Sequence, residues 1–381
     1  MVSERAYLDH AATTQLRPEA LEAYTEAARI LGNPSSQHSS GRKVRGIYDD
    51  ALADIAELIG VPRSWIIMTS GGTEADNIAL RGVRGRVVGC ATDHPAVIDT
   101  VRALDGDLAP VKADGRIDAA ALDALLNGAG RDDQKAAVLV SAALVNNETG
   151  IIQDLDSVIE VAQAHGTIVH TDAVQGVGHV ELPEPSRVPL MSITGHKIGA
   201  PVGVGMLVAD PAVTLHPSGT GGGQQRGIRS GTLDAPHAAA LAAALRATIE
   251  KQEDEIATRD ALAARLREGI REIDPTAVFT AEGSPHSSHV THVCFPGADQ
   301  DAALFVLDSE GVDCSAGSAC HAGVTQASHV LTAMGVSDDL MRGALRFSLG
   351  YTSTETDVDK VLAALPKALD AARKLGVSLR R

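Results

Sequence analysis

Ser192-Ile193-Thr194-Gly195-His196-Lys197 follows the apolar run Val188-Pro189-Leu190-Met191. It precedes Gly199-Ala200-Pro201-Val202-Gly203-Val204-Gly205 and a second strand-like run, Met206-Leu207-Val208. A lysine between two buried strands, among hydroxyls and small residues, suits covalent chemistry: desolvation lowers its pKa and frees the amine to form a Schiff base. Alone, the same residues describe a solvated lysine in a glycine-rich turn. The stretches upstream reverse that balance. Trp65-Ile66-Ile67-Met68-Thr69 reads as a buried strand running into Ser70-Gly71-Gly72-Thr73-Glu74 and a helix from Ala75 to Val83. A strand ending in a glycine-rich turn at a helix N-terminus makes an anion cradle, since free N–H groups and the helix dipole both face a phosphate. Val87 to Ala91 leads to Asp93-His94-Pro95, Ala137 to Ala143 to Asn146-Asn147-Glu148, and Thr167 to Thr171 to Asp172-Ala173-Val174-Gln175. Short apolar strands alternating with helices predict an α/β fold with a mostly parallel sheet, whose ligands sit beyond the strand C-terminal ends. Thr73, His94, Asn147, Asp172, Gln175, Thr194, His196 and Lys197 all fall at such ends.

The chain has 381 residues, 44% apolar and 22% charged, with only 2% aromatics and a net charge of -16. That length predicts two domains or one large α/β unit. The acidity argues against a nucleic-acid partner. Cys90, Cys294, Cys314 and Cys320 form no CxxC pair, and no HExxH occurs, so no metal site is expected. The N-terminus lacks the apolar core of a signal peptide, and Ala136 to Val145 is too short to span a bilayer. A reducing cytoplasm, free thiols and no membrane association are expected. Helices are predicted from Pro18 to about Leu31, Gly41 to Ile59 with Gly60 ending it, Leu155 to His165, and Pro236 to about Asp254 with a helical continuation through Arg271. The loop Gly219 to Thr232, with Arg226 and Arg229, suits anion or subunit contact. Downstream, the strand Thr291 to Phe295, the helix Asp299 to Ser309 and the strand Gly311 to Cys314 lead into Ser315-Ala316-Gly317-Ser318-Ala319-Cys320, a thiol among tiny neighbours. A strand Leu345 to Gly350 and a helix Glu355 to Leu375 capped by Thr354 complete the chain, with Val377 to Arg381 frayed. The expected division is a large domain, 15–255, and a small domain, 1–14 with 256–381, that carries the Cys320 loop.

Taken in order, Tyr7-Leu8-Asp9-His10-Ala11-Ala12-Thr13-Thr14, Asn33-Pro34-Ser35-Ser36, Thr69 to Asn77, Asn146-Asn147-Glu148-Thr149-Gly150, Asp172-Ala173-Val174-Gln175, Gly195-His196-Lys197, Arg229-Ser230-Gly231-Thr232, Gly317-Ser318-Ala319-Cys320 and Arg346-Phe347-Ser348-Leu349-Gly350 resemble the cysteine desulfurases of the NifS/IscS type. These are pyridoxal 5'-phosphate enzymes of the fold-type I aminotransferase architecture: a large domain with a mostly parallel mixed sheet between helices, plus a smaller α+β domain. The resemblance implies that Lys197 holds the cofactor and then serves as acid/base at the substrate Cα. Asp172 would pair with the pyridinium nitrogen. His94 would stack on the ring and move protons. Asn147 and Gln175 would bond the ring 3'-oxygen. Thr73, Thr194 and His196, with backbone N–H groups near Gly72, would bind the phosphate. Thr232 would reach the phosphate in the other subunit of a homodimer. Arg346, with Asn147 beside it, would hold the substrate carboxylate. Cys320 would attack the sulfur of L-cysteine, leaving alanine and a persulfide for a sulfur acceptor such as an iron–sulfur cluster scaffold.

None of the departures from the family pattern removes a chemical group that the mechanism needs. Thr194 stands where serine is commoner, Gln225 where an acidic residue is usual, and Val202 near a frequent lysine. The segment Arg81 to Val88 is shorter than in many members. The Cys320 loop, running to Gln326, resembles the housekeeping branch. The competing readings are an aminotransferase or β-lyase on the same fold, a selenocysteine lyase, and a catalytically dead scaffold. Cys320 discriminates against the aminotransferase and the β-lyase, which need no thiol, a selenocysteine lyase could share the same residues, and the intact lysine, aspartate, arginine and cysteine argue against the scaffold.

Overall fold

A computed structural model describes residues 5–128, 136–217, 219–317 and 327–379. The first third comprises β1 (Ala6–Tyr7), α1 (Pro18–Ala28), α2 (Ser39–Ile59), β2 (Ile66–Thr69), α3 (Gly72–Gly82), β3 (Arg86–Cys90), α4 (Pro95–Ala103), β4 (Asp107–Ala109) and α5 (Ala119–Leu126). Then follow β5 (Ala137–Ala143), α6 (Leu155–Ala164), β6 (Ile168–Asp172), β7 (Leu190–Thr194), β8 (Gly205–Ala209), α7 (Ala235–Glu250) and α8 (Gln252–Ile273). The remainder is β9 (Val278–Phe279), β10 (Val290–Cys294), α9 (Gln300–Ser309), β11 (Val312–Asp313), α10 (His329–Ala333), α11 (Asp338–Met341), β12 (Ala344–Ser348) and α12 (Glu355–Leu379).

A seven-stranded sheet in the order β2-β8-β7-β6-β5-β3-β4 forms the centre. The strands from β4 across to β7 run parallel, whereas β8 and β2 are antiparallel to their neighbours. The sheet is thus mixed and mostly parallel. Strand side chains alternate between two apolar layers: Val88, Val140, Met191, Ile193, Met206 and Val208 enter one, and Val87, Leu139, Leu190, Leu207 and Ala209 the other. This double burial explains why the strands are continuous apolar runs rather than alternating ones. A separate core joins α8, α9, α12 and the antiparallel sheet β12-β10-β9 to Ala6 and Leu8 from the start of the chain. The N-terminal residues reach it because β1 pairs in parallel with β11 and Asp9 bridges Ser348.

Local signals behave as the chemistry requires. Gly60 closes α2 in the left-handed region at φ 76°. Thr354 and Asp357 cap α12 reciprocally, Thr354 N donating to Asp357 Oδ2 at 2.8 Å. The structure also corrects several expectations. Helix α1 stops at Ala28, short of Leu31. The helical stretch from Pro236 to Arg271 breaks at Lys251, and α8 starts afresh with Glu253, Asp254 and Glu255 in its first turn, where the dipole favours carboxylates. Helix α12 continues through Leu379. The three-residue β4 and the helix α5 were not anticipated.

Candidate active site

The C-terminal ends of the parallel strands open into one cavity of about 350 Å³, lined by Gly72, Thr73, His94, Asn147, Asp172, Gln175, Thr194, His196, Lys197 and Arg346 among others. Ten of the sequence-selected residues therefore share one space. Asp172 ends β6, Thr194 ends β7, Gly72 and Thr73 open α3 directly after β2, and His94 sits at the N-cap of α4. Arg346 comes from the other core, on β12.

The floor at α3 is built by absence of side chains. Gly71, at φ 153°, needs glycine. A Cβ on Gly72 would lie 2.7 Å from Val174 Cγ2, and one on Gly205 would lie 2.7 Å from Gly71 Cα. The first-turn N–H groups of α3 have no acceptor within the helix. Thr194, 2% exposed, turns its hydroxyl toward Gly71. His196 Nδ1 contacts Thr13 Oγ1 at 3.2 Å, and burial lowers its ring pKa to about 4, so it meets an anion as a neutral donor.

The titratable groups are tuned by burial. Lys197 donates to the carbonyl oxygens of Ala11 and, at 2.6 Å, Ala12. Burial pulls its pKa down to about 8, Arg346 acts in the same direction, and Asp9 and Asp172 oppose. Burial raises the Asp172 carboxyl, against the hydrogen bond from Val174 N at 2.9 Å and the nearby His94 and Lys197. His94 Nδ1 accepts from Ala96 N at 3.1 Å, so the neutral ring carries its proton on Nε2. Burial lowers the pKa of His94. Gln175 donates to Ala11 O at 2.8 Å and accepts from His289 Nε2 at 3.2 Å. Arg346, 4% exposed, donates from Nη1 to Asn147 O at 2.9 Å and from Nη2 to Asp9 Oδ1 at 2.6 Å.

Two selected residues stand apart. Thr232 is exposed and does not line the cavity of its own chain. Cys320 lies outside the described residues. Glu148, buried, adjoins Gly317 and accepts from Ser328 Oγ at 2.6 Å, so it holds both described flanks of that stretch. The arginines of the 219–232 loop serve their own chain: Arg229 pairs with Glu74 at 3.0 Å, and Arg226 donates to Ala209 O at 2.8 Å. Gln225, which stands where the family pattern is acidic, bonds both main-chain groups of Met68, at 2.6 and 2.9 Å.

Sequence reasoning missed Asp9, the carbonyls of Ala11 and Ala12, and Asp76, which is 1% exposed and lines the cavity. Asp76 sits four residues past the glycine turn, on the inner face of α3, so helical periodicity could have flagged it. Backbone carbonyls leave no such mark.

Residues 6–361 match the family described as aminotransferase class-V. The chain belongs to this family. It is 41% identical to the "IscS-like cysteine desulfurase" of Mycobacterium tuberculosis, over 98% of each chain. The "Cysteine desulfurase IscS" of Edwardsiella ictaluri is 35% identical, covering 97% of this chain and 94% of its own. Among solved structures, the NifS-like protein from Rickettsia africae superimposes with a TM-score of 0.88 at 26% identity, over 96% of this chain and 100% of the other. Class-V aminotransferases are pyridoxal phosphate proteins. The site fits that group: a side-chain-free cradle at a helix N-terminus suits the phosphate, a buried carboxylate with no basic side chain bonded to it among the described residues suits a protonated ring nitrogen, and a lysine of lowered pKa suits the aldehyde. The volume lies in the roughly 300–1,000 Å³ range of small-molecule sites. Among the described residues, no helix is long and apolar enough to cross a membrane.

Proposed function

We propose that this protein is a cysteine desulfurase, a sulfurtransferase that takes sulfur from L-cysteine and yields L-alanine and a Cys320 persulfide. One observation carries the proposal: Lys197, its amine drawn down to about 8, faces the same cavity as the buried Asp172 and the guanidinium of Arg346. Relatives bearing the desulfurase name, alignable over nearly the whole chain, support it.

Each role follows from a group's surroundings. Bound pyridoxal phosphate supplies an electron sink for charge developing at the substrate Cα. Lys197 would hold the cofactor, and its amine, once released, would carry a proton to or from Cα. Asp172 would keep the ring nitrogen protonated. Gly72, Thr73, Thr194 and His196 would hold the phosphate, Asn147 and Gln175 would bond the ring oxygen, and His94 would contact the ring. Arg346 orients the substrate carboxylate beside Asn147. Cys320, as thiolate, forms an S–S bond to the substrate sulfur while the Cβ–S bond breaks. Cβ takes a proton, and alanine leaves.

The active unit is a homodimer in which the exposed Thr232 serves the partner's phosphate site. The persulfide passes to an acceptor protein, such as an iron–sulfur scaffold or a thiolation relay, in a reducing cytoplasm. The chain divides into a large domain, 15–255, and a small one, 1–14 with 256–381. The separate apolar core that collects Ala6, Leu8, Leu266, Phe347 and Leu365 supports this division. The test is sulfide and alanine release from L-cysteine with reductant present, in the wild type and in Cys320→Ala. Equimolar products that vanish in the variant are expected. Alanine without sulfide, or activity indifferent to Cys320, would overturn the proposal.

A further inference from the structure

We propose that Asp9 is an internal competitor for Arg346, an affinity-setting residue that occupies the guanidinium until a substrate carboxylate shares or displaces it. The inference rests on the reading of Arg346 as the carboxylate receptor. A guanidinium grips a carboxylate with two teeth along either of two edges, Nε with Nη2 or Nη1 with Nη2, and both edges include Nη2. In this structure Nη2 is the atom that donates to Asp9 Oδ1, at 2.6 Å. Nη1 donates to the carbonyl of Asn147, and among the described residues Nε is buried without a partner. Nη2 carries one N–H on each edge, so Asp9 takes one tooth of one edge, monodentately, and its charge lies beside a carboxylate bound along the other.

The surroundings suit an exchange. Arg346 is fixed: its side chain is 5% exposed, and its backbone N donates to Ser315 O at 2.6 Å. Asp9 is the freer partner, with a side chain 24% exposed and a route to water. Two carboxylates on one guanidinium repel each other, and the partial exposure of Asp9 screens that repulsion. A small anion without further contacts gains too little to share the site. An α-amino acid, anchored also through its amine, gains enough. The contact thus lowers the affinity of every carboxylate alike, and a ligand with further anchors still binds.

Asp9→Asn tests the sign. It keeps a hydrogen-bond acceptor near Nη2 but removes the charge. The holoenzyme variant is expected to lower KM for L-cysteine about tenfold with kcat within about twofold, and to tighten inhibition by acetate in parallel, the ordinary worth of one charged partner at a partly screened site. If Asp9→Asn folds poorly, Asp9→Ser admits water beside Arg346 and is expected to move KM the same way. L-Alanine affinity, followed by cofactor absorbance, is measured in Arg346→Lys alongside. Weak alanine binding in Arg346→Lys with unchanged or raised KM in both Asp9 variants overturns this inference alone and makes Asp9 an orienting or structural group. Unchanged alanine binding in Arg346→Lys overturns the carboxylate reading itself, and this inference with it.

Discussion

Raising the pH over the apoprotein should switch on cofactor capture with a midpoint near pH 8, because the reacting species is the neutral amine of Lys197. Burial beside Arg346 brings that amine down to about 8 from the ordinary 10.5. The difference is worth about 3 kcal/mol between the two protonation states. At pH 7.5 it leaves roughly a quarter of the amine neutral, against about a thousandth for a solvated lysine, a gain of about 250-fold in reactive fraction. The sign is fixed by the lowered pKa: the protonated form dominates below 8, so capture slows about tenfold per pH unit there and levels off above 9. The assay is stopped-flow absorbance at a fixed excess of pyridoxal phosphate, from pH 6 to 10.5, with Lys197→Ala as the blank. Asp9 opposes the lowering. Asp9→Asn should therefore move the midpoint to lower pH. A rate that climbs without a plateau through pH 10 would mean a solvated lysine and would refute the reasoning.

Gly72→Ala puts a methyl 2.7 Å from Val174 Cγ2, and overpacking of this kind costs about 1–3 kcal/mol, so cofactor affinity should fall at least tenfold and recover in the double variant with Val174→Ala. Equilibrium dialysis reads both, and wild-type affinity in the single variant would dismiss the cradle. Gln225→Ala removes the amide that bonds Met68 N and O on the outermost strand, and chemical denaturation should register a loss of about 1–2 kcal/mol. Arg17 is 3% exposed, pairs with Glu255 through two 2.9 Å bonds and donates to Ile198 O, so Arg17→Ala should destabilise the chain by about 3 kcal/mol, checked by urea titration.

The strand exits were legible because doubly buried strands are apolar from end to end, and the first polar residue after each run marks where the sheet meets solvent. That logic found His94, Asn147, Asp172 and Lys197 without any knowledge of pairing. It could not find that β8 runs against both of its neighbours, β7 and β2, since an antiparallel strand buried on both faces reads like a parallel one. Nor could it find the break at Lys251, where alanine-rich α7 and charge-rich α8 are both good helix formers and only the turn between them differs. Asp9 was visible as part of a motif, yet its role depends on Arg346, 337 residues away. The carbonyls that hold Lys197 belong to alanines, and an alanine's sequence identity carries no hint that its oxygen is used.

The strap from Ala6 to Arg17 is synthesised well before the partners that seat it. It pairs with Val312 and Asp313, bridges Ser348 and grips Arg346, while its carbonyls receive Lys197. On the ribosome, the β-rich centre around residues 66–209 can close while the strap still lacks its seat. A further 337 residues must emerge before Asp9 can meet Arg346. Contacts this far apart in sequence form slowly and late. A nascent or prematurely terminated chain would therefore carry the lysine and the phosphate cradle without the carboxylate receptor. The strap thus ties completion of the pocket to the arrival of β11 and β12.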